Sequence, residues 1–475
     1  MRVPYWFAGA AVCLNLLGPV SGEPQTKPTA NRATAHDRAT RAEMRGRLDA
    51  LVGNLHERGL FDGAVVVANG RDVVWERGFG YAHIDRKIPF TADTATDGAS
   101  LAKTFTAALV LALSGEGRLR LDDPVQRWLP ELPYATVTWR HLLSHSSGLP
   151  VLDYDYFDKW LPANEVRTTE SLLGVLTAQR PALFFAPGTA FEYSSFGYDV
   201  AALAAARVAR STYAELLKAR LFRPLGLTSA FVRPGRLSDF RGTRTMGYRR
   251  AGEGLVPHDV FDFEGFHGGS NVYASARELH LWNASFLERP PLSGTALKAA
   301  LQPARIGTAA SRLTLGSWYR SPDAAAFWYS GHLQGFHSEV FRDVRSRWSV
   351  VYVSNNTLEP WLQKTLVRAI RSILAGREVP PLAAPATVDI SRDSYGNLLG
   401  RWVASDGERW TVERSSDHLA LGWKEVNYRM VQVDPRTFYV PGADMMVGFA
   451  GTAGGAPTRL YVSSNLDERW AKRAR

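Results

Sequence analysis

Strand-type sequence stands at both ends of the first three-quarters of this chain, with helical sequence between, and that limits the folds open to it. Gly63-Ala64-Val65-Val66-Val67-Ala68 and Asp72 to Phe79 are rich in β-branched and aromatic residues. Asn69-Gly70 joins them, a pair suited to the positive φ angles of a tight hairpin. Strand-type runs return only at Ala325 to Tyr329, Ser338 to Arg342 and Trp348 to Val353. Between them, Arg41 to Arg58 repeats Met44, Leu48, Leu51, Val52 and Leu55 at helical spacing and stops at Gly59. Tyr198 to Ala209, Thr212 to Leu221 and Ser275 to Leu287 also read as helices, and Trp361 to Leu374 closes the segment. Short strands so far apart bury their apolar faces most simply in one antiparallel sheet. Helices then pack on that sheet, with a helical insert beside it, and the class is α+β.

A second region differs in character. Glu378-Val379-Pro380-Pro381-Leu382-Ala383-Ala384-Pro385 reads as a proline-rich linker. Beyond it come short strands at Arg409–Val412, His418–Leu421, Tyr428–Val431, Thr437–Val440, Met445–Phe449 and Thr458–Val462, which predict a small β-barrel or sandwich. The expected divisions are a signal peptide over 1–22, a flexible lead-in over 23–40, a large domain over 41–377, a linker over 378–390, a barrel over 391–468 and a frayed basic tail over 469–475. The signal peptide rests on Arg2, the apolar run Trp6 to Leu17 and the small residues Val20-Ser21-Gly22. The apolar run is too short for a comfortable membrane span, so a periplasmic or secreted protein is expected, with no stable span after cleavage. The only cysteine, Cys13, lies in this leader, which excludes disulfides and thiol catalysis from the mature chain.

The chemistry concentrates at Gly98-Ala99-Ser100-Leu101-Ala102-Lys103-Thr104-Phe105. Ser100 and Lys103 are three residues apart at the start of an apolar helical run, so their side chains share one face. The helix end adds free N–H groups and a partial positive charge. Desolvation favours the neutral form of an amine, which then serves as a base beside a hydroxyl. The plainer reading is a capping serine before an ordinary helix. No other lysine in the chain has a serine three residues upstream.

Tyr193-Ser194-Ser195 follows Pro187-Gly188 in a loop before a helix, where a phenol can join a proton relay; a packing tyrosine is the plainer reading. Tyr329-Ser330-Gly331-His332 ends a strand, and Gly331 there lets backbone N–H groups approach a ligand. Its plainer reading is a glycine-bearing strand edge in the core. His141, His145, His267, His332 and His337 form no metal-ligand spacing, so no metal is expected. No phosphate-cradling glycine loop appears, and no cofactor is expected. The net charge of +10 is spread among interleaved acids without a basic block, so no nucleic-acid partner is expected.

Ser-x-x-Lys, then a loop Tyr-Ser-x, then a strand-end x-Ser-Gly before a closing helix resembles the layout of the serine β-lactamase and penicillin-binding superfamily. More closely, the chain resembles the β-lactamase-related serine hydrolases, which include class C β-lactamases, D-aminopeptidases, carboxylesterases and D-alanyl-D-alanine carboxypeptidases. Trp139-Arg140-His141-Leu142-Leu143-Ser144-His145-Ser146-Ser147-Gly148-Leu149-Pro150 is similar to a segment of that group, as is Pro224-Leu225-Gly226-Leu227. The likeness covers about Leu48 to Ala375. It implies a β-lactamase/penicillin-binding-like fold, and the region after the linker is similar to the lipocalin-like barrels appended to such enzymes.

The resemblance implies roles. Ser100 is the acylated nucleophile, Lys103 takes or relays its proton, and Tyr193 is general base and acid. The backbone N–H groups of Ser100 and His332 form the oxyanion hole, and Ser195, Tyr329, Ser330, Gly331 and His332 line the substrate. Two departures stand out. The second motif ends in Ser195 where the group usually has Asn, and the third begins with Tyr329 where it usually has Lys or His. A shifted reading makes His332 the third-motif residue. The missing cation weakens the case for a substrate carboxylate, so an exported hydrolase of small esters or amides is expected. The alternatives are a β-lactamase, a D-alanyl-D-alanine carboxypeptidase or D-aminopeptidase, and a catalytically silent protein that binds envelope fragments.

Overall fold

The hairpin at Asn69-Gly70 forms as expected: Gly63–Asn69 and Asp72–Phe79 pair antiparallel, and Gly70 turns at a φ of 59°. In this computed structural model the described residues are 35–475, less 151–158, 161–164, 241, 253, 261–263, 289–290, 293, 380, 416–417, 424–425, 452–454 and 475. The expected signal peptide lies outside them. Residues 43–475 form one unit. Within 1–42 the described part is the first turns of helix Ala35–Glu57, which begins inside the expected flexible lead-in.

The hairpin's first strand pairs with Trp348–Ser354, putting Val66 opposite Val351. One eight-stranded antiparallel sheet results, in the order Pro303–Ile306, Ala309–Thr314, Tyr319–Arg320, Ala326–Leu333, Phe336–Asp343, Trp348–Ser354, Gly63–Asn69, Asp72–Phe79. The three strands between Pro303 and Arg320 extend the sheet beyond what the sequence predicts.

Helix Pro360–Leu374 packs Leu362, Leu366, Val367 and Ile370 into the apolar core shared with Val65 and Val350. Helix Ala276–Glu288 is fixed to the sheet through Asn283, whose amide donates to Phe341 O at 3.0 Å and whose carbonyl accepts from Arg342 at 2.9 Å. The helical insert lies beyond, with helix Ala102–Gly115 at its heart, buried from Ala102 through Leu111. No helix among the described residues is long and apolar enough to cross a membrane.

The C-terminal region is a closed barrel of eight strands, from Gly400–Ala404 to Glu468–Arg473. Closure corrects one expectation. The last residues are not a frayed tail: Glu468–Arg473 pairs with both Arg459–Ser463 and Gly400–Ala404 and seals the barrel. Trp402, Trp410, Val412, Leu421, Phe438, Val447 and Phe449 are buried in it. The barrel is joined to the sheet by specific contacts. The Arg312 guanidinium lies between the ring of Trp328 in the sheet, at 5.3 Å, and that of Trp423 in the barrel, at 4.7 Å.

Candidate active site

Ser100 occupies the tight turn Ala99–Leu101 that leads directly into helix Ala102–Gly115. The turn is tied down on several sides. Ala99 N–H donates to Asp97 Oδ1 at 2.7 Å, Gly98 N–H donates to Val272 O at 3.0 Å, and Ser338 Oγ donates to Gly98 O at 2.7 Å. Ala99 holds a φ of 48°, a left-handed conformation costly for a residue with a side chain and found where surrounding structure imposes it.

Lys103 is fully buried one helical turn on. Its Nζ donates to Ser100 Oγ at 3.1 Å, Ser195 Oγ at 3.1 Å and Gly269 O at 2.7 Å, so all three of an ammonium's donors are matched. Helix Ser195–Ala209 starts earlier than its apolar pattern predicts, because Ser194 caps it by accepting from Gly197 N–H at 3.0 Å. That cap sets the preceding residue in place: Tyr193 OH donates to Ser100 Oγ at 2.9 Å. The Lys103 ammonium also lies 5.0 Å from the centre of the Tyr193 ring.

The third motif reaches the same place from the sheet. Gly331 lies against the Ser100 turn so closely that a Cβ built on it would stand 2.2 Å from Gly98 O and 2.9 Å from Ser100 N. The backbone carrying His332 therefore passes beside the Ser100 N–H. Among the described residues, the outer edge of this strand has no partner strand beyond Trp328, since Tyr319–Arg320 pairs with Phe327 and Trp328. His332 is exposed at its end.

Two expected substrate contacts are placed differently. Tyr329 is buried and stacked on Tyr319, with ring centres 5.3 Å apart. Burial, then the phenols of Tyr193 and Tyr319, push its own phenol well above the usual range, so the position holds a neutral group. Ser330 gives its hydroxyl proton to Asp444 Oδ1 of the barrel at 2.7 Å.

Sequence reasoning missed three participants. Gly269 supplies the third acceptor to Lys103. Asp444 meets the third motif from the barrel. His145 sits behind Tyr193, stacked on its ring at 4.5 Å between centres. Glu192 N–H donates to His145 O at 2.9 Å and Ser194 N–H donates to His145 Nδ1 at 3.0 Å, so one residue binds the backbone on either side of Tyr193. Burial, then the nearby Lys103 charge, hold His145 well below the ordinary histidine range, and the ring is neutral. The only available signal for it was the Arg140-to-Pro150 segment in which it stands. Among the described residues no cluster of three His, Cys, Asp or Glu side chains is placed to hold a metal ion.

Comparison with known proteins follows the same lines. Penicillin-binding protein 4* of Bacillus subtilis (strain 168) is 26% identical over 393 residues, covering 79% of this chain and 87% of that protein. Among solved structures, the octameric penicillin-binding protein homologue from Pyrococcus abyssi covers 90% of this chain and 99% of its own, with a TM-score of 0.60 at 22% identity. The D-amino acid amidase from Ochrobactrum anthropi SV3, complexed with L-phenylalanine amide, covers 68% of this chain and 92% of its own, with a TM-score of 0.54 at 22% identity. These two likenesses establish the fold. The sequence profile described as Beta-lactamase matches residues 45–375, well over half the chain and the whole of the sheet with its helical insert, so this protein belongs to the beta-lactamase family of serine hydrolases.

Proposed function

We propose that this chain is an exported serine hydrolase that cleaves small esters or amides through an acyl-enzyme on Ser100. One observation carries the reading: Ser100 Oγ receives hydrogen bonds from both Lys103 Nζ, at 3.1 Å, and Tyr193 OH, at 2.9 Å. Either group, once it has given up its proton, is in place to take the serine's. Ser100 Oγ then bonds to the substrate carbonyl carbon, and the carbonyl oxygen takes the negative charge. The N–H groups of Ser100 and His332 receive that oxygen, where a lost donor typically costs about 10²–10³ in rate. Tyr193 returns a proton to the leaving alcohol or amine. A water then gives its proton to Tyr193 and attacks the acyl-serine, which releases the acid and restores the Ser100 hydroxyl. Export rests on the leader-like residues 1–22.

The preference for substrates without a carboxylate on the leaving-group side rests on Tyr329. A β-lactam and a D-alanyl-D-alanine peptide both carry a carboxylate there, and the third-motif position that usually supplies a Lys or His cation holds a buried, neutral phenol in this chain. The test is a panel of p-nitrophenyl esters, a chromogenic cephalosporin and D-alanyl peptides, followed by intact mass. The expected result is ester turnover with an acyl mass on Ser100, lost in Ser100→Ala. Turnover in Ser100→Ala equal to the parent would refute the assignment, and faster cephalosporin than ester turnover would move the substrate to β-lactams.

A further inference from the structure

One turn of the C-terminal barrel touches the surroundings of two catalytic motifs. Residues Pro441 to Asp444 link barrel strands Thr437–Val440 and Met445–Ala450. At one end of the turn, Gly442 packs so tightly that an added Cβ would lie 2.4 Å from the ring of Phe191 and 2.5 Å from that of Tyr428. Phe191 is two residues before Tyr193, and its ring meets that of His145 at 5.6 Å. Next to it, Glu192 pairs with Arg429 of the barrel at 3.2 Å. At the other end, Asp444 is fully buried and accepts from Ser330 Oγ at 2.7 Å and from Tyr439 OH at 2.9 Å. At the first residue of the turn, Tyr319 OH donates to Pro441 O.

The far side of Asp444 is anchored as firmly. Lys364, from the closing helix, donates to its carboxylate at 2.7 Å and to Glu339 Oε2 at 3.1 Å. Glu339 lies opposite Ser330 on the neighbouring strand and also accepts from Asn465 of the barrel. A buried carboxylate with so many directed partners has little freedom to move, and removing one partner leaves the others uncompensated.

We infer that the turn Pro441–Asp444 is a positioning element of the active site, which sets the loop bearing Tyr193 against the strand bearing Ser330 and His332, so that the barrel is an obligatory part of the catalyst. This rests on the acyl-enzyme reading above. Catalytic geometry is sensitive at this scale, since a displacement of about 1 Å costs on the order of 10²-fold in rate. The turn touches no reacting atom and acts through Phe191 and Ser330.

The rate at which a fluorophosphonate labels Ser100 tests this, because it reports acylation alone. Gly442→Ala forces the added methyl into Phe191 and is expected to slow labelling at least tenfold. Gly442→Ala combined with Phe191→Leu, which removes one of the two struck rings, is expected to regain part of that loss. Val462→Ala, a barrel-core truncation away from the turn, is expected to lower Tm and leave the labelling rate as in the parent. Asp444→Asn keeps the size of the side chain and is expected to slow labelling without requiring the turn to move, which covers the case of an unfolded Gly442→Ala. Parent-like labelling in Gly442→Ala or in Asp444→Asn overturns the inference, as does an equal loss in Val462→Ala. A parent chain labelled on Ser100 with these outcomes fails on the turn alone. A parent chain never labelled overturns the acyl-enzyme reading and this inference together.

Discussion

Gly331 and Ser100 meet backbone to backbone: a methyl group on Gly331 would lie 2.9 Å from the Ser100 nitrogen. The contact is possible only without a side chain, and it sets the strand that carries His332 against the Ser100 turn.

Gly331→Ala therefore separates the strand from the turn. The added carbon meets Gly98 O at 2.2 Å, and that oxygen is already held by Ser338 Oγ, so the backbone must yield. With the His332 N–H as one of the two oxyanion donors proposed above, its loss predicts a fall in kcat of about 10²–10³. Steady-state kinetics on a p-nitrophenyl ester check it. A kcat within a factor of three of the parent would show that the strand does not supply the donor.

Lys103 and Ser195 give a graded pair. Lys103 Nζ has three acceptors, of which Ser195 Oγ is one, at 3.1 Å. Lys103→Met removes the amine and predicts a loss of orders of magnitude in the acylation burst. Ser195→Ala removes one of three restraints on the amine and predicts a loss of only about tenfold, the size of one hydrogen bond. Burst kinetics on both variants separate these. A loss in Ser195→Ala as large as in Lys103→Met would make Ser195 a proton carrier and not a tether.

How far the sequence goes depends on how local each signal is. Ser100 and Lys103 are three residues apart at the start of one helix, and the apolar run after them is continuous, so their pairing is legible. Strand Trp348–Ser354 is legible for the same reason, through its unbroken run of β-branched and aromatic residues, Val350 to Val353. Pro303–Ile306 and Ala309–Thr314 are short and carry Arg305, Ser311 and Arg312, which hides their strand character. Glu468–Arg473 reads as a basic tail because Ala471 is its one well-buried residue, and only pairing with Gly400–Ala404 makes it a strand. The Ser330–Asp444 bond spans 114 residues and depends on how the barrel docks, which no local pattern encodes.

The buried cluster at the barrel junction predicts a pH-dependent stability. Desolvation raises the Glu339 carboxyl from 4.5 to about 8, against the opposing pull of Lys364. The folded chain thus keeps a proton that the unfolded chain releases between those values, so stability falls as pH rises through that window and levels off above about 8. One such proton gives a slope of up to about 1.4 kcal/mol per pH unit. Glu339→Gln holds the neutral form at every pH and should flatten the fall in Tm between pH 6.5 and 8. Melts that fall equally in parent and variant would place the titration elsewhere.

His145 provides the last test, because it holds Tyr193 in three ways at once. Its ring stacks on the phenol, its carbonyl accepts from Glu192 N–H, and its Nδ1 accepts from Ser194 N–H. His145→Phe keeps the ring and the carbonyl and removes only the Nδ1 acceptor, leaving a buried N–H unpaired. The expected result is a lower kcat with little change in KM, since the base shifts while the substrate contacts stay. The same variant carries a signature in acid. A histidine held below its ordinary range when folded takes up a proton only on unfolding, so its share of stability is present above about 6.5 and lost as pH falls below it. His337, buried with its own pKa well below the ordinary range, contributes in the same direction. His145→Phe removes one of these two shares, so the acid-side fall in Tm should be shallower than in the parent while kcat is reduced. An unchanged kcat with a shallower acid limb would make His145 a core residue that only neighbours the site.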